Sequence, residues 1–322
     1  MSVTAHGRKP ALLIAALAAG TLATAVAVAA SSPVPVKTTR HNEVGPSATG
    51  DWLVWSRSRE RGVSPYDLFA QHGTDPAFKV NRKGTQAYGG GIDGTRLLYQ
   101  LIRGQFATES DLRLFDLQTR QPTPLPAGVN TKDWECCGTI SGDWILYSRG
   151  RAYSTARQLV LLRNLVTGEQ RVLDTLRNKN GLVSAGQING TYAVWTRCAP
   201  YPQCVIYRYD LATASATALP TLPAKVAYSP SVNQYGTVYY VRSKKGCGKS
   251  AEIVEQGLLG QPEVLVSLAQ GRDVDVTYAY AEPPVPPGDI VTTHVYYDHV
   301  LCKKQTWDIY RVDDTGRLPP PS

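Results

Sequence analysis

The sequence predicts an all-β protein, a six-bladed β-propeller of four-stranded antiparallel blades with the ring closed by an N-terminal strand. Three observations support this prediction: a repeat at constant spacing, several short strand-like runs in each repeat, and no convincing amphipathic helical period. Four short strands in a unit of roughly 45 residues are typical of a propeller blade. A pair of β-sandwiches is the competing fold.

The repeat is clearest in three segments that align without gaps: GGGIDGTRLLYQ, CGTISGDWILYS and AGQINGTYAVWT. They begin at residues 89, 137 and 185, so that consecutive copies lie 48 residues apart. A fourth copy, GPSATGDWLVWS, precedes them; a looser fifth, SPSVNQYGTVYYV, and a degenerate sixth follow. The columns that coincide are two glycines, one isoleucine and one aromatic: Gly90, Gly138 and Gly186; Gly94, Gly142 and Gly190; Ile92, Ile140 and Ile188; Tyr99, Tyr147 and Trp195.

A second strand-like run follows each copy, and three of these runs end at Asp116, Asn164 and Asp210. Asp and Asn bond their own backbone and tolerate tight turns, so these positions predict hairpin ends. The sixth unit lacks an outermost strand. We expect VPVKTTRHNEV, near the N-terminus, to supply it and to leave no long unpaired edge.

A glycine, an apolar strand and then a DLxT turn form a pattern that resembles the TolB-type six-bladed propeller family. That family usually carries a Ser-Pro-Asp-Gly turn in each blade, where this chain has SATGD, GIDGT, TISGD and QINGT. TolB also has an N-terminal α/β domain, for which no counterpart is expected here. The resemblance therefore implies the fold, and it does not extend to TolB's binding of a partner lipoprotein.

The chain opens with a pattern typical of a secretory signal peptide, in which Arg8 and Lys9 precede an apolar run from Ala11 to Ala30. We expect cleavage near Ala29 or Ala30, although an uncleaved membrane anchor is the alternative. The expected organisation is a signal peptide (1–30), an extended segment with the ring-closing strand (31–45), the propeller (46–315) and a disordered tail (316–322). The predicted location is secreted or extracytoplasmic, with no stable membrane span after cleavage.

The basic residues are scattered, although the formal net charge is +8. Nucleic-acid binding requires a clustered basic face, so we expect no nucleic-acid partner. We expect a monomer whose partner is an unknown protein or small ligand.

Six cysteines follow the apolar segment, and an even number in an exported chain favours disulfides. Cys198 and Cys204 flank five residues between two strands of one hairpin, which predicts a bridge. Cys247 and Cys302 occupy the same kind of loop in neighbouring blades, which predicts a second bridge.

Cys136 and Cys137 are adjacent, so their Cα atoms lie only about 3.8 Å apart, whereas ordinary disulfides span about 4.4–6.8 Å. In a regular strand their side chains would also point to opposite faces. The alternatives are a vicinal disulfide, two free thiols or a redox pair. We predict the vicinal disulfide, which would fix a kink at the channel entrance.

No pattern in the chain predicts a metal or a cofactor. His294 and His299 are five apart in one predicted strand and would face opposite ways. The segment GCGKS lacks the first glycine of a phosphate-binding loop, and no G-x-S-x-G nucleophile turn is present.

The first strand of each blade lines the channel of a propeller, so the loops entering these strands are the candidate ligand site. Aromatic rings with a few carboxylates suit a sugar, a peptide or a cation, although aromatics also pack between blades. The candidate residues are Tyr88, Asp133, Trp134, Glu135, Tyr228, Asp273 and Tyr278.

We expect an exported, non-catalytic propeller that binds a protein or a small ligand at its channel face. The alternative is an extracellular hydrolase or lyase acting on carbohydrate or a related polymer, which would require an acid pair. Asp133 and Glu135 are the weak catalytic candidates for that role. A sensor or stalk domain held by an uncleaved anchor is a third hypothesis.

Overall fold

In the computed structural model, twenty-four β-strands form six four-stranded sheets, and every pairing within them is antiparallel in the part of the chain that is described. The prediction of a propeller with six four-stranded blades is confirmed. The structure describes residues 31–60, 63–103, 109–150, 157–220, 226–243, 250–258, 260–268, 271–282, 289–301 and 306–317. Over these ranges no helix is long and apolar enough to cross a membrane. The predicted signal peptide lies outside them.

The first three blades follow one another along the chain, each running from the innermost to the outermost strand. Blade one contains β2 (Glu43–Thr49), β3 (Trp52–Glu60), β4 (Val63–His72) and β5 (Phe78–Lys79). Blade two contains β6 (Gln86–Asp93), β7 (Arg96–Arg103), β8 (Glu109–Asp116) and β9 (Gln121–Thr123). Blade three contains β10 (Glu135–Ser141), β11 (Trp144–Arg149), β12 (Gln158–Asn164) and β13 (Gln170–Leu176).

Blades four and five repeat this order, and blade six takes its outermost strand from the start of the described chain. Blade four contains β14 (Leu182–Asn189), β15 (Tyr192–Cys198), β16 (Cys204–Asp210) and β17 (Ser215–Ala218). Blade five contains β18 (Val226–Val232), β19 (Val238–Ser243), β20 (Ala251–Gln256) and β21 (Glu263–Leu268). Blade six contains β22 (Gly271–Glu282), β23 (Ile290–Leu301), β24 (Trp307–Arg317) and β1 (Val34–Lys37).

The strand β1 pairs antiparallel with β24, with Val34 opposite Arg311 and Pro35 opposite Tyr310. The backbone N–H of Ser31 also donates to the carbonyl of Asp313 at 3.1 Å. Two distant parts of the sequence thus share the sixth sheet. The strand β24 extends to residue 317, beyond the expected propeller boundary at 315, and residues 318–322 lie outside the described ranges.

Hydrophobic contacts join neighbouring blades. One buried cluster brings Leu98 and Leu112 of blade two against Ile140 and Ile145 of blade three. Burial of one such side chain stabilises the fold by about 1.5–3 kcal/mol relative to exposure. The aromatic column of the repeat is buried in the same way, so these rings serve packing: Trp55, Tyr99, Tyr147, Trp195 and Tyr297.

Hydrogen bonds between the inner parts of adjacent blades recur at equivalent positions. The Oγ of Ser56 accepts from the N–H of Gly89 at 2.7 Å, and the Oγ of Ser148 accepts from the N–H of Ala185 at 2.7 Å. Between the last blade and the first, the carboxylate of Asp298 accepts from the N–H of Gly45 at 2.8 Å. A polar residue near the end of the second strand therefore connects one blade to the next.

The first glycine column exists because the inner strands approach one another closely. A Cβ at Gly90 would lie 2.2 Å from the carbonyl oxygen of Leu98 and 2.5 Å from that of Gly138. A Cβ at Gly186 would lie 2.3 Å from the carbonyl oxygen of Pro230. These contacts are with backbone atoms that cannot rotate away, so any side chain would push the strands apart.

We expect Gly90→Ala to lower the free energy of unfolding by about 2 kcal/mol, because overpacking next to rigid backbone strains the inner strands. Gly257→Ala is the matched control, since no atom lies within 4 Å of the place that its new Cβ would occupy. It should change stability by less than about 0.5 kcal/mol. Urea unfolding monitored by tryptophan fluorescence measures both, and equal stabilities would contradict the crowded-channel interpretation.

Candidate functional site

The six inner strands surround a cavity of about 760 Å³ at the end of the channel where these strands begin. The second strands of several blades reach the same end, and Gln100, Thr196 and Ser243 contribute to the wall. One position of the repeat forms a ring around this cavity, and five of its six members line it: Val44, Tyr88, Ser184, Tyr228 and Asp275. The sixth member of the ring is Cys136.

A β-bulge follows this ring in the inner strands. In β10, for example, the register with β11 shifts between Cys136 and Thr139. The next residue in three blades has a positive φ: Gly45 at 60°, Cys137 at 57° and Ser229 at 50°. A bulge bends its strand and changes the direction of a side chain. All three of these residues line the cavity.

Bonds cross the channel directly beyond the residues that line the cavity. The hydroxyl of Tyr278 in blade six donates to the carbonyl of Ile92 in blade two at 2.5 Å. The amide of Gln187 in blade four donates to the carbonyl of Ala279 in blade six at 2.9 Å and accepts from the N–H of Val232 at 3.2 Å. Each of the two contacts with blade six skips an intervening blade, so these side chains bridge the channel directly beyond the residues that line the cavity.

The described wall of the cavity is acidic and aromatic. It contains the carboxylates of Asp275 and Asp298 and, among the residues that the structure describes there, no Lys or Arg. Asp275 and Asp298 lie opposite each other in the register of β22 and β23. Asp275 accepts a hydrogen bond from the Ser229 hydroxyl at 2.5 Å. These two carboxylates were not among the candidates from sequence.

Three tyrosines supply the aromatic part of the wall: Tyr88, Tyr201 and Tyr228. Burial raises the pKa of Tyr88 to about 12, with a smaller contribution from Tyr66, whose ring centroid lies 4.9 Å away. Tyr88 is therefore a neutral phenol at physiological pH and offers the cavity a ring face and a hydroxyl group.

The loop that carries Tyr201 is held in place over the cavity. The structure contains the Cys198–Cys204 disulfide, as the hairpin spacing predicted. The N–H of Tyr201 donates to the carbonyl of Asn180 at 2.8 Å. Both cysteines line the cavity beside Tyr201, so the bridge fixes part of the cavity mouth.

The other candidates from sequence have varied positions. Tyr88 and Tyr228 line the cavity, whereas Tyr278 is buried and does not line it. Trp134 is partly buried, and its side chain bonds to Cys136. The side chain of Asp273 lies outside the described residues, as do Cys247 and Cys302 with their predicted bridge. No group of three or more His, Cys, Asp or Glu within the described ranges could hold a metal.

Asp133 and Glu135, the proposed acid pair, are not brought together. Asp133 is exposed in a loop, whereas Glu135 is fully buried and does not line the cavity. Glu135 accepts from the Thr131 hydroxyl at 2.7 Å and from Arg149 Nε at 2.9 Å. Burial nevertheless raises the pKa of Glu135, since these two partners only partly offset the loss of solvation.

The same arrangement recurs in blade one, where Glu43 accepts from the Thr39 hydroxyl at 2.7 Å and from Arg57 Nε at 2.8 Å. Both glutamates begin an inner strand, and both threonines precede them by four residues. Because this group of threonine, glutamate and arginine occurs at equivalent places in two blades, we assign it to the architecture of the blade. The sequence signal was present, because Thr-x-x-x-Glu and the arginine fourteen residues later occur in both repeats.

The structure contains Cys136 and Cys137 as free thiols. Their sulfur atoms lie 2.7 Å apart, beyond the length of about 2.05 Å of a disulfide bond. The vicinal bridge predicted from sequence is therefore absent from this structure and stays a prediction. Cys137 lines the cavity, whereas Cys136 does not.

We expect Glu135→Ala to lower the free energy of unfolding by about 3 kcal/mol, because it leaves the partly buried Arg149 without its partner. Glu43→Ala should cost less, since the Arg57 side chain is 31% exposed whereas that of Arg149 is 13% exposed. The exposed Asp133→Ala should change stability by under about 0.5 kcal/mol. Urea unfolding measures all three, and an unchanged stability of Glu135→Ala would refute the structural role.

Comparison with known proteins supports the fold. No protein-family model matches the chain, and no curated protein matches it. TolB from Acinetobacter baumannii superimposes with a TM-score of 0.51 at 14% identity, over 84% of this chain and 66% of the TolB chain. A putative TolB from Agrobacterium tumefaciens superimposes with a TM-score of 0.53 at 15% identity, over 72% of this chain and 83% of its own. An oligogalacturonate lyase in complex with manganese superimposes with a TM-score of 0.46 at 10% identity, over 91% of this chain and 99% of the lyase chain. In its fold, this chain is a TolB-like six-bladed propeller.

Proposed function

We propose that this chain is an exported, non-catalytic β-propeller that binds a small organic cation in the cavity at its channel mouth. The observation that carries the proposal is the described lining, in which two carboxylates and three tyrosine rings surround a cavity of about 760 Å³. This volume falls within the range of about 300–1,000 Å³ that is typical of small-ligand sites. The bonds that bridge the channel directly beyond this cavity favour a small ligand over a protein partner.

Electrostatics favour a positive ligand at this place. Asp275 and Asp298 face one another across neighbouring strands, and like charges directly opposite each other are unfavourable. A cation held near either carboxylate would gain a favourable electrostatic interaction. An ammonium group over a tyrosine ring gains about 0.5–2 kcal/mol, and the gain increases as water is excluded.

Export is supported by three independent features. Residues 1–30 have the pattern of a secretory signal peptide. Disulfides persist in oxidising compartments, and the structure contains the Cys198–Cys204 bridge. The solved structures of similar fold include TolB proteins.

A screen for ligands that raise the melting temperature tests the binding function. The panel contains primary amines, quaternary ammonium compounds, and neutral and carboxylate compounds of matched size. We expect amines or quaternary ammonium compounds to raise the melting temperature, and calorimetry then gives the affinity. If only the carboxylates stabilise the protein, the proposed ligand class is wrong.

Site variants locate the binding. Asp275→Asn should weaken binding of the cation by roughly tenfold or more, because it removes a partly exposed carboxylate from the cavity wall. Tyr88→Leu should also weaken binding through loss of the ring. Asp133→Asn removes an exposed carboxylate outside the cavity and is the matched control. Equal affinities for the Asp275 and Asp133 variants would exclude this cavity as the site.

The second candidate function is a hydrolase or lyase acting on extracellular carbohydrate or a related polymer. It is favoured by one observation, the opposed Asp275 and Asp298 in a cavity, since such chemistry uses two carboxyl groups. Incubation with a panel of polysaccharides, followed by assays for reducing ends and unsaturated products, tests it. Product release that is lost in Asp275→Asn would replace the binding proposal.

A further inference from the structure

The bulge in β10 places the two adjacent thiols on the same side of the strand. Consecutive side chains of a regular strand point to opposite faces. Here the register shifts after Cys136, and Cys137 has a φ of 57°. The two sulfurs consequently approach to 2.7 Å. Unlike consecutive side chains of a regular strand, the side chains of Cys136 and Cys137 therefore meet at this site.

The two thiols differ in access. Cys137 is partly exposed and lines the cavity at the channel mouth. Cys136 is absent from the cavity wall, and the Trp134 side chain bonds to it. A reagent entering from the mouth thus meets Cys137 first.

The thiols also differ in acidity. The hydrogen bond between the two sulfurs, with burial, raises the pKa of Cys136 well above its usual range. The same hydrogen bond lowers the pKa of Cys137, although burial opposes it. This hydrogen bond favours the thiolate on Cys137, and a thiolate is the form that attacks a disulfide.

We propose that Cys136 and Cys137 are a redox-active pair on the cavity wall, with Cys137 as the attacking sulfur and Cys136 as the resolving sulfur. The co-reactant is a small-molecule disulfide. The Cys137 thiolate attacks one of its sulfurs, which forms a mixed disulfide and releases one thiolate. Cys136 then gives up its proton and attacks the Cys137 sulfur, which closes the vicinal bridge and releases the second thiolate. Two protein thiols are oxidised while one disulfide is reduced to two thiols.

Reversibility follows from the geometry of adjacent residues. Their Cα atoms are about 3.8 Å apart, less than the 4.4 Å minimum usual for a disulfide, so the closed bridge is strained. Strained disulfides have more oxidising potentials and are reduced readily. The pair is thus suited to switching between dithiol and disulfide. This proposal concerns the thiols alone and does not depend on the proposed cation ligand.

Glutathione disulfide in excess over the full chain is the probe, followed by acid quenching, alkylation and peptide mass spectrometry. In the wild type we expect the peptide that contains both cysteines to lose two hydrogens. Cys136→Ser should trap one glutathione on Cys137, because the resolving thiol is gone. Cys137→Ser should react at Cys136 at least tenfold more slowly. Titration with glutathione should reopen the wild-type bridge.

Serine fits both positions, since the equivalents of Cys136 and Cys137 in other blades are Ser184 in blade four and Ser229 in blade five. Urea unfolding checks that both variants fold. If Cys137→Ser takes up glutathione at Cys136 as fast as the other variant does at Cys137, the assigned roles are wrong. If the wild type keeps two free thiols, or a stable glutathione adduct, at every ratio of glutathione disulfide to glutathione, the pair is not redox-active.

Discussion

The convergence of six inner strands on one axis is the constraint on which the rest of this structure depends. Where the strands are closest, the backbone of one blade occupies the space that a side chain of its neighbour would need, as at Gly90 and Gly186. Large side chains are therefore displaced outwards, and the aromatic column packs between the blades. Along the described part of the channel, space for a ligand exists where the bulges begin and the strands separate.

Polar groups near the axis must also find partners inside the protein, because a buried group without a hydrogen bond costs about 1–3 kcal/mol. Gln187 and Tyr278 meet this requirement by bonding to backbone groups of blades that are not their neighbours. The same bonds bridge the channel directly beyond the cavity. Asp298 likewise connects blade six to Gly45 of blade one and lines the cavity wall. Stability and the shape of the site are thus properties of the same side chains.

The sequence predicted the fold because its two glycine columns record backbone requirements that recur every 48 residues. Gly94, Gly142 and Gly190 have φ values of 58°, 52° and 57°, a conformation that favours glycine. Side-chain direction was harder to predict, because side chains alternate between the two faces of a strand and a bulge shifts this alternation by one residue. Asp273 was selected in blade six, whereas Asp275 lies in register with Tyr88 and Tyr228. The cross-channel contact of Tyr278 was also hidden, since it joins residues that are 186 positions apart.

Approximate sixfold symmetry separates residues that maintain the blade from residues that need another explanation. Glu135 is buried and bonded to arginine, features that on their own suggest a catalytic acid, but Glu43 has the same partners in blade one. Recurrence therefore favours a structural role for both. Asp275 and Cys136 occupy one position of the repeat, where other blades have valine, serine or tyrosine. Because that position tolerates such different side chains, the blade itself requires neither a carboxylate nor a thiol there. We therefore assign the carboxylate of Asp275 in the cavity wall, and the thiol of Cys136 that pairs with Cys137, to function.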